Sequence, residues 1–437
     1  MEFATLPFNQ NRNGWLNDQH GTAFRPSLAG NTDADWVIIG SGFAGLSFAR
    51  RLASLDPSLK IVMLDAACAA ESASARNSGF IISLPHNTGS STAELKKAHC
   101  YRSLLQEGSR QLAALTALHG IDCEWEDTGK FHCQVDVTSN RILREYINNL
   151  EAMDEPYRLF DRERLYQKLG SRFYTKGIYT SGATLVNPAS LVAGLAASLP
   201  ENVTLFDHTP VMHIEYGKTA RVITPYGTVK AGQVMLATNA LSKTLSPVAN
   251  RQAAMATFAS FTAPLTAEQS QRLPEMSSWG LTPVNAIAGA TIRYTRDRRF
   301  LIRQHVIPAL NGRITAEQTW RATRLHQQIF NKIYPQLTDV PLTRTWSGTI
   351  SVTRNSAPVW GALGKNIYTA SGCNGAGIAK QTIAGSLLAD HALGHDNPLI
   401  ASMQALGEAN YLPPSPVLDV AISLSLAKER YMGRSEV

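Results

Sequence analysis

Hydrophobic and polar positions along the chain follow two periods in turn. DWVIIG (Asp35–Gly40) is short, apolar and β-branched, which reads as a buried strand. FAGLSFARRLASL (Phe43–Leu55) spaces its apolar residues for a helix, and SLKIVMLD (Ser58–Asp65) reads as a second strand. Together they predict a βαβ unit, with parallel strands because the helix crosses between them. From about Ser91 to Tyr166 the pattern is mainly helical, with Gly120 closing the long helix and KFHCQVD (Lys130–Asp136) alternating as a strand. NPASLVAGLAASLP predicts a helix with Asn187 as N-cap and Pro188 at its first position. Strands are expected in VTLFDHTPVMHIEY, ARVITPYGTVK and GQVMLATNA, and TIRYTRDRRFLIRQH (Thr291–His305) reads as a strand pair around a turn. NIYTASG (Asn366–Gly372) predicts a late strand, GIAKQTIAGSLLADHAL (Gly377–Leu393) a helix, and the tail an amphipathic segment to about Met432 after LPPSP.

Segments of nucleotide-domain character are separated by segments of another kind, which predicts two interleaved domains. The expected division is an arm at 1–33, then a discontinuous Rossmann-like FAD-binding domain from 34–90, 182–254 and 341–400. A mixed-sheet substrate domain takes 91–181 and 255–340, and 401–437 forms a tail with a helix. The fold class is α/β, with an α+β substrate domain. A chain of 437 residues buries large cores unaided. The net charge of +7 is scattered, with Arg296–Arg299 its densest run, and we read it as a solubility feature; nucleic acid is not the expected partner. Five cysteines without CxxC or zinc spacing imply no metal and a reducing, cytoplasmic setting. Neither a signal peptide nor an apolar run long enough to span a membrane stands out.

The early turn Gly40-Ser-Gly42-Phe43-Ala44-Gly45 fits G-x-G-x-x-G, follows a strand and opens a helix. Its glycines permit a tight turn, close approach of a pyrophosphate to backbone, and close helix–strand packing. Asp65, at the end of the next strand, is placed to accept hydrogen bonds from ribose hydroxyls. This alone leaves NAD and FAD both open. The late turn SGCNGAG (Ser371–Gly377) is a second strand-to-helix turn whose helix dipole suits the electron-rich carbonyl of a flavin, which favours FAD.

With these motifs in place the chain resembles FAD-dependent amine and amino-acid oxidoreductases of the D-amino-acid-oxidase/glycine-oxidase (DAO) superfamily, in its gamma-glutamylputrescine-oxidoreductase-like group. The matching pieces are WVIIGSGFAGLS with Asp65, SARNSGF, TPV, VMLATNA, RTWSGTISVTRNSAPVWG and IYTASGCNGAGIAKQTIAG. The resemblance implies that Ala66 lies beside Asp65 at the cofactor, and that Ala75, Arg76, Asn77, Ser78 and Gly79 wrap its flavin side. It also implies that Val211 holds the adenine and that Ala237, Thr238 and Asn239 pass near the pyrophosphate. Gly348 and Gly372, Cys373, Asn374, Gly375, Ala376, Gly377 and Ile378 would line the ring. Two departures stand out: Asn355 replaces a usual aspartate, and Trp346 stands near the cysteine that covalent relatives use, so noncovalent FAD is implied. Arg303 stands where relatives carry small glycines.

The expected activity is oxidation of a C–N bond in an amine or amino acid to an imine. Hydride passes to flavin N5, and O2 is the expected acceptor, giving hydrogen peroxide. Trp346 and Arg303 are the candidate catalytic residues, Trp346 with a core aromatic as its equal alternative, and Arg303 as a partner for a substrate carboxylate with an exposed charge in a basic strand as its alternative. Cys373 is read as a packing residue beside the ring, and His86 as a turn histidine with an active-site alternative. Two other readings stay open: a flavin-dependent tRNA-modifying enzyme, and an amine dehydrogenase feeding a quinone or protein partner.

Overall fold

The computed structural model describes residues 11–16, 25–85, 92–136, 140–241, 245, 250–309 and 313–436. His86 lies outside them. The protein is α/β, with two eight-stranded sheets and a small two-stranded one among the described residues. The first sheet runs in the order Val359–Gly364, Ile367–Ser371, Gly227–Leu236, Thr32–Ile39, Ile61–Leu64, Val203–Phe206. Along this path all neighbours pair in parallel except the first two strands, while off it Ala220–Thr224 pairs antiparallel with both Gly227–Leu236 and His213–Glu215; Ile38 sits between Met235 and Met63. The central runs are continuously apolar because side chains pack against both faces of the sheet.

Helices Phe43–Leu55 and Ile378–Leu393 follow the early and late turns. They pack at backbone contact, since a Cβ on Gly385 would stand 2.2 Å from the Ala44 carbonyl oxygen. The predicted N-cap is formed: Asn187 accepts from the N–H groups of Ala189 and Ser190.

The second sheet runs Leu342–Val352, Ala253–Thr262, Phe300–Pro308, Thr291–Tyr294, Trp279–Pro283, Lys130–Gln134, Lys176–Thr180, Tyr157–Asp161. Only the pairing of Trp279–Pro283 with Lys130–Gln134 is parallel. One face buries Phe131, Ile292 and Ile302 against Phe330 and Ile333 of the helix Ala316–Ile333. Alternate residues on the opposite face line a cavity.

The amino-terminal stretch departs from a simple arm. Asn13, Trp15 and Leu16 are buried, and Trp15 meets Phe261 edge-on at 4.8 Å between ring centroids. An apolar GWL inside a polar stretch is what permits this burial.

Candidate active site

Two cavities share part of their walls. The smaller, about 390 Å³, is a slot at the carboxyl ends of the first sheet's strands. Gly40, Gly42, Phe43 and Ala44 line one part, with Asp65, Ala66 and Val211. Ala237, Thr238 and Asn239 line another, and Asn77, Cys373, Gly375, Gly377 and Ile378 complete it. Gly40 turns at φ +105°, against the Ala237 carbonyl, where a side chain would be strained. Gly42 gives the helix no side-chain cap and Phe43 N donates to Ser74 Oγ at 3.2 Å, which leaves the following first-turn N–H groups and the positive dipole end to a phosphate. Asp65 accepts from Ser41 N at 2.8 Å, Ser41 Oγ at 2.6 Å and Ala67 N at 2.9 Å, so it also shapes the early turn.

The larger cavity, about 850 Å³, is lined by Arg76, Asn77, Ser78, Arg303, Asn374, Gly375, Ala376, Gly377 and Ile378 among the expected residues. Asn77, Ile350, Gly375, Gly377 and Ile378 belong to both cavities, so the late turn is the wall they share. Asn374, at φ +50°, ties this turn to the second sheet: its Oδ1 accepts from Thr353 N at 2.8 Å, and its Nδ2 donates to the Ser356 carbonyl at 3.0 Å. Cys373 is buried and its thiol is occupied, donating to the Ser351 carbonyl at 3.6 Å and accepting from Asn239 Nδ2 at 3.3 Å. Behind the turn, the buried Lys380 ammonium donates to the Gly372 carbonyl at 3.0 Å, and burial lowers its pKa to about 8.

Arg303 is half-buried at the cavity wall and donates only to the Ala286 carbonyl, at 3.3 Å, among the described residues. Its enclosure lowers the guanidinium pKa.

Several expected residues stand elsewhere. Trp346, expected near the flavin and substrate, is fully buried and lines neither cavity. Its ring packs on Phe261 and Gly14, and its Nε1 donates to the Arg76 carbonyl at 3.0 Å. It is a positioning residue for the Arg76 loop, because its place in the strand turns its side chain to the core. The Arg76 side chain is likewise spent on the protein, on the Glu71 carboxylate and the Glu71, Asn11 and Ser347 carbonyls; burial lowers its pKa and Glu71 opposes that. Gly45, Ala75, Gly79, Gly348 and Gly372 line neither cavity and act on loop geometry. Gly79, at φ +76°, would place a Cβ 2.2 Å from the Val186 carbonyl oxygen. Asn355 does not face either cavity; it donates to the Glu408 carbonyl at 2.8 Å and holds the chain that leads to the last helix.

Other lining residues escaped the sequence reading. Ser72, Ser74, Thr209 and Gln381 border the slot, and His132, Thr282, Thr291 and the last helix, Val417–Met432, border the cavity. The one available signal was KFHCQ, whose alternation puts Lys130, His132 and Gln134 on one buried face.

The family model described as DAO, FAD dependent oxidoreductase, matches residues 35–391. A probable oxidoreductase OrdL from Rhizobium meliloti (strain 1021) is 27% identical over 86% of this chain and 86% of its own. Gamma-glutamylputrescine oxidoreductase from Escherichia coli (strain K12) is 26% identical over 82% of this chain and 83% of its own. Glycine oxidase from Geobacillus kaustophilus shares the fold with a TM-score of 0.68 at 18% identity, over 84% of this chain and 96% of that one. The slot suits a dinucleotide on its own chemistry. Ser72 Oγ, Asn239 Oδ1 and Gln381 Nε2 are buried on its walls without a hydrogen-bond partner among the described residues. A Cβ on Gly42 would intrude to 2.6 Å from Ser74 Oγ.

Proposed function

The chain belongs to the DAO family of FAD-dependent oxidoreductases, and from that premise we propose that it oxidises the C–N bond of an amino acid or other carboxylate-bearing amine. The observation that carries this reading is Arg303, a cation in the larger cavity with no carboxylate partner among the described residues. A substrate carboxylate would supply one in the forked geometry arginine favours. The names of the relatives, an oxidoreductase of gamma-glutamylputrescine and an oxidase of glycine, support an amine or amino acid. FAD, which Gly40, Gly42, Asp65 and Val211 would hold noncovalently in the slot, would supply the hydride acceptor, with O2 as the electron acceptor we propose, giving hydrogen peroxide, and the imine product would be hydrolysed by water. The chain's own residues orient and shield. Arg303 fixes the acid end, while Met255, Val306, Leu418, Ile422 and Leu426 give the cavity apolar walls that exclude water. A neutral amine carries its own lone pair, so no residue is assigned as general base. All five cysteines are free thiols, which supports a cytoplasmic setting.

The test is a panel of amines and amino acids mixed without air with the yellow holoenzyme, followed at the flavin band. Bleaching by amino acids, reversed by air with release of peroxide, is the expected result. Bleaching confined to amines without a carboxylate sinks the Arg303 reading, and slow reoxidation by air sinks the oxidase reading.

A further inference from the structure

Four polar side chains, one from each of four neighbouring strands, form a single row across the cavity face of the second sheet. Arg303 pairs in register with Thr291, and Thr282 with His132. Leu281 opposite Ile292 brings Thr282 opposite Thr291 and closes the row. All four residues line the larger cavity. Their sequence neighbours Ile302, Ile292, Leu281 and Phe131 belong to the apolar core on the other face. Three strand spacings separate the ends, roughly 14 Å.

Two members of the row are buried, Thr291 at 3% and His132 at 4% exposure, and Thr282 and Arg303 are half-buried; buried polar groups are costly unless something answers them. His132 Nδ1 lies 2.9 Å from Thr282 Oγ1, and that hydroxyl lies 3.4 Å from the Phe131 carbonyl, to which it donates. With the hydroxyl proton on that carbonyl, the imidazole donates from Nδ1 and Nε2 is a bare acceptor. Nε2 is buried with no partner among the described residues. Burial, reinforced by Lys130, lowers the pKa of the ring to about 3, so it stays neutral.

We infer that the row is a recognition track for an extended amino acid, with Arg303 holding its carboxylate and His132 Nε2 accepting from an N–H or O–H donor at its far end. Allowing for the hydrogen bonds at each end, the ligand spans roughly 10 Å, about three extended residues in length. Glycine-sized substrates leave the histidine end unanswered and are poor substrates on this account. The inference rests on the amino-acid reading above, and adds the second pole.

The test uses the holoenzyme with two ligands of equal length: Nε-acetyl-lysine, and its ketone isostere 2-amino-8-oxononanoic acid, in which a methylene replaces the amide N–H. Affinity is read from the perturbation of the bound flavin's absorbance, and turnover from flavin reduction without air. The amide is expected to be favoured about tenfold in affinity. His132→Phe should bring that ratio close to one, and His132→Gln, which keeps an acceptor, should retain part of it. Thr282→Val, which frees the imidazole tautomer, should lower the ratio too, and decides the matter if His132→Phe does not fold. A wild-type ratio of one, a ratio that both His132→Phe and Thr282→Val leave intact, or binding of neither ligand overturns the inference. A ratio seen in binding while the flavin stays oxidised overturns the oxidation reading and leaves the track standing.

Discussion

The slot and the cavity are built by opposite means. The slot is made chiefly of backbone: tight turns at strand ends, an uncapped helix start and a few small side chains. The cavity is made of side chains drawn from the second sheet, the loop at Arg76–Ser78 and the last helix. Backbone turns present the same N–H groups whatever the neighbouring side chains are, so they suit a constant cofactor. Side chains on a sheet face change one at a time, so they suit a particular substrate. The late turn belongs to both.

The largest effect should fall on the slot. Gly42→Val puts a side chain against Ser74 Oγ, which already accepts from Phe43 N at 3.2 Å. Purified protein should then carry at least about tenfold less FAD, read as the ratio of flavin to protein absorbance. Full FAD occupancy would break the contrast between the two cavities.

Arg303→Met should act on the cavity alone, with flavin content unchanged and kcat/KM for carboxylate-bearing substrates lower by about 10²–10³-fold.

Acid should act on the second sheet from the face away from the cavity. His326 is fully buried, with Nδ1 2.7 Å from Ser260 Oγ and Nε2 3.1 Å from the Gln304 carbonyl. Burial is the main cause that lowers its pKa to about 4. Between that value and the unfolded pKa near 6.5 the unfolded chain binds more protons. Its stabilising contribution is therefore complete above about pH 6.5 and is lost as pH falls toward 4, on the order of 3 kcal/mol. His326→Gln should flatten that part of the pH dependence of the thermal midpoint; an unchanged slope would assign acid sensitivity elsewhere.

Asn374→Ala frees the shared wall from the second sheet, so FAD affinity and substrate KM should both weaken by roughly tenfold. A change in only one would show that the late turn serves one cavity.

Cys373→Ser keeps a small polar group between Asn239 and Ser351. Flavin content and turnover should stay within about twofold, as expected for a packing residue. Loss of activity with FAD retained would give the thiol a chemical role.

The elements of the first sheet were legible because they are local. DWVIIG, the helix at Phe43–Leu55 and IVML each declare themselves within a short window, and the early turn's glycines Gly40, Gly42 and Gly45 fall within one such window. The cavity was far less legible because its geometry depends on pairing between distant strands. KFHCQ predicted a strand, but His132 acquires meaning only beside Thr282, 150 residues away. Trp346 was misplaced for a related reason: a motif of tryptophan and glycine in one strand does not say which face looks inward. The buried place of Trp15 was equally hidden, since its neighbours Phe261 and Arg293 lie far along the chain.

The last helix carries one further consequence. Every residue lining the slot precedes Thr382, whereas Leu418, Ala421, Ile422, Ser425 and Leu426 wall only the cavity. One wall of the cavity can thus vary with the slot's lining left as it is. Exchange of this tail among relatives would reshape the cavity's apolar wall around an unaltered dinucleotide slot.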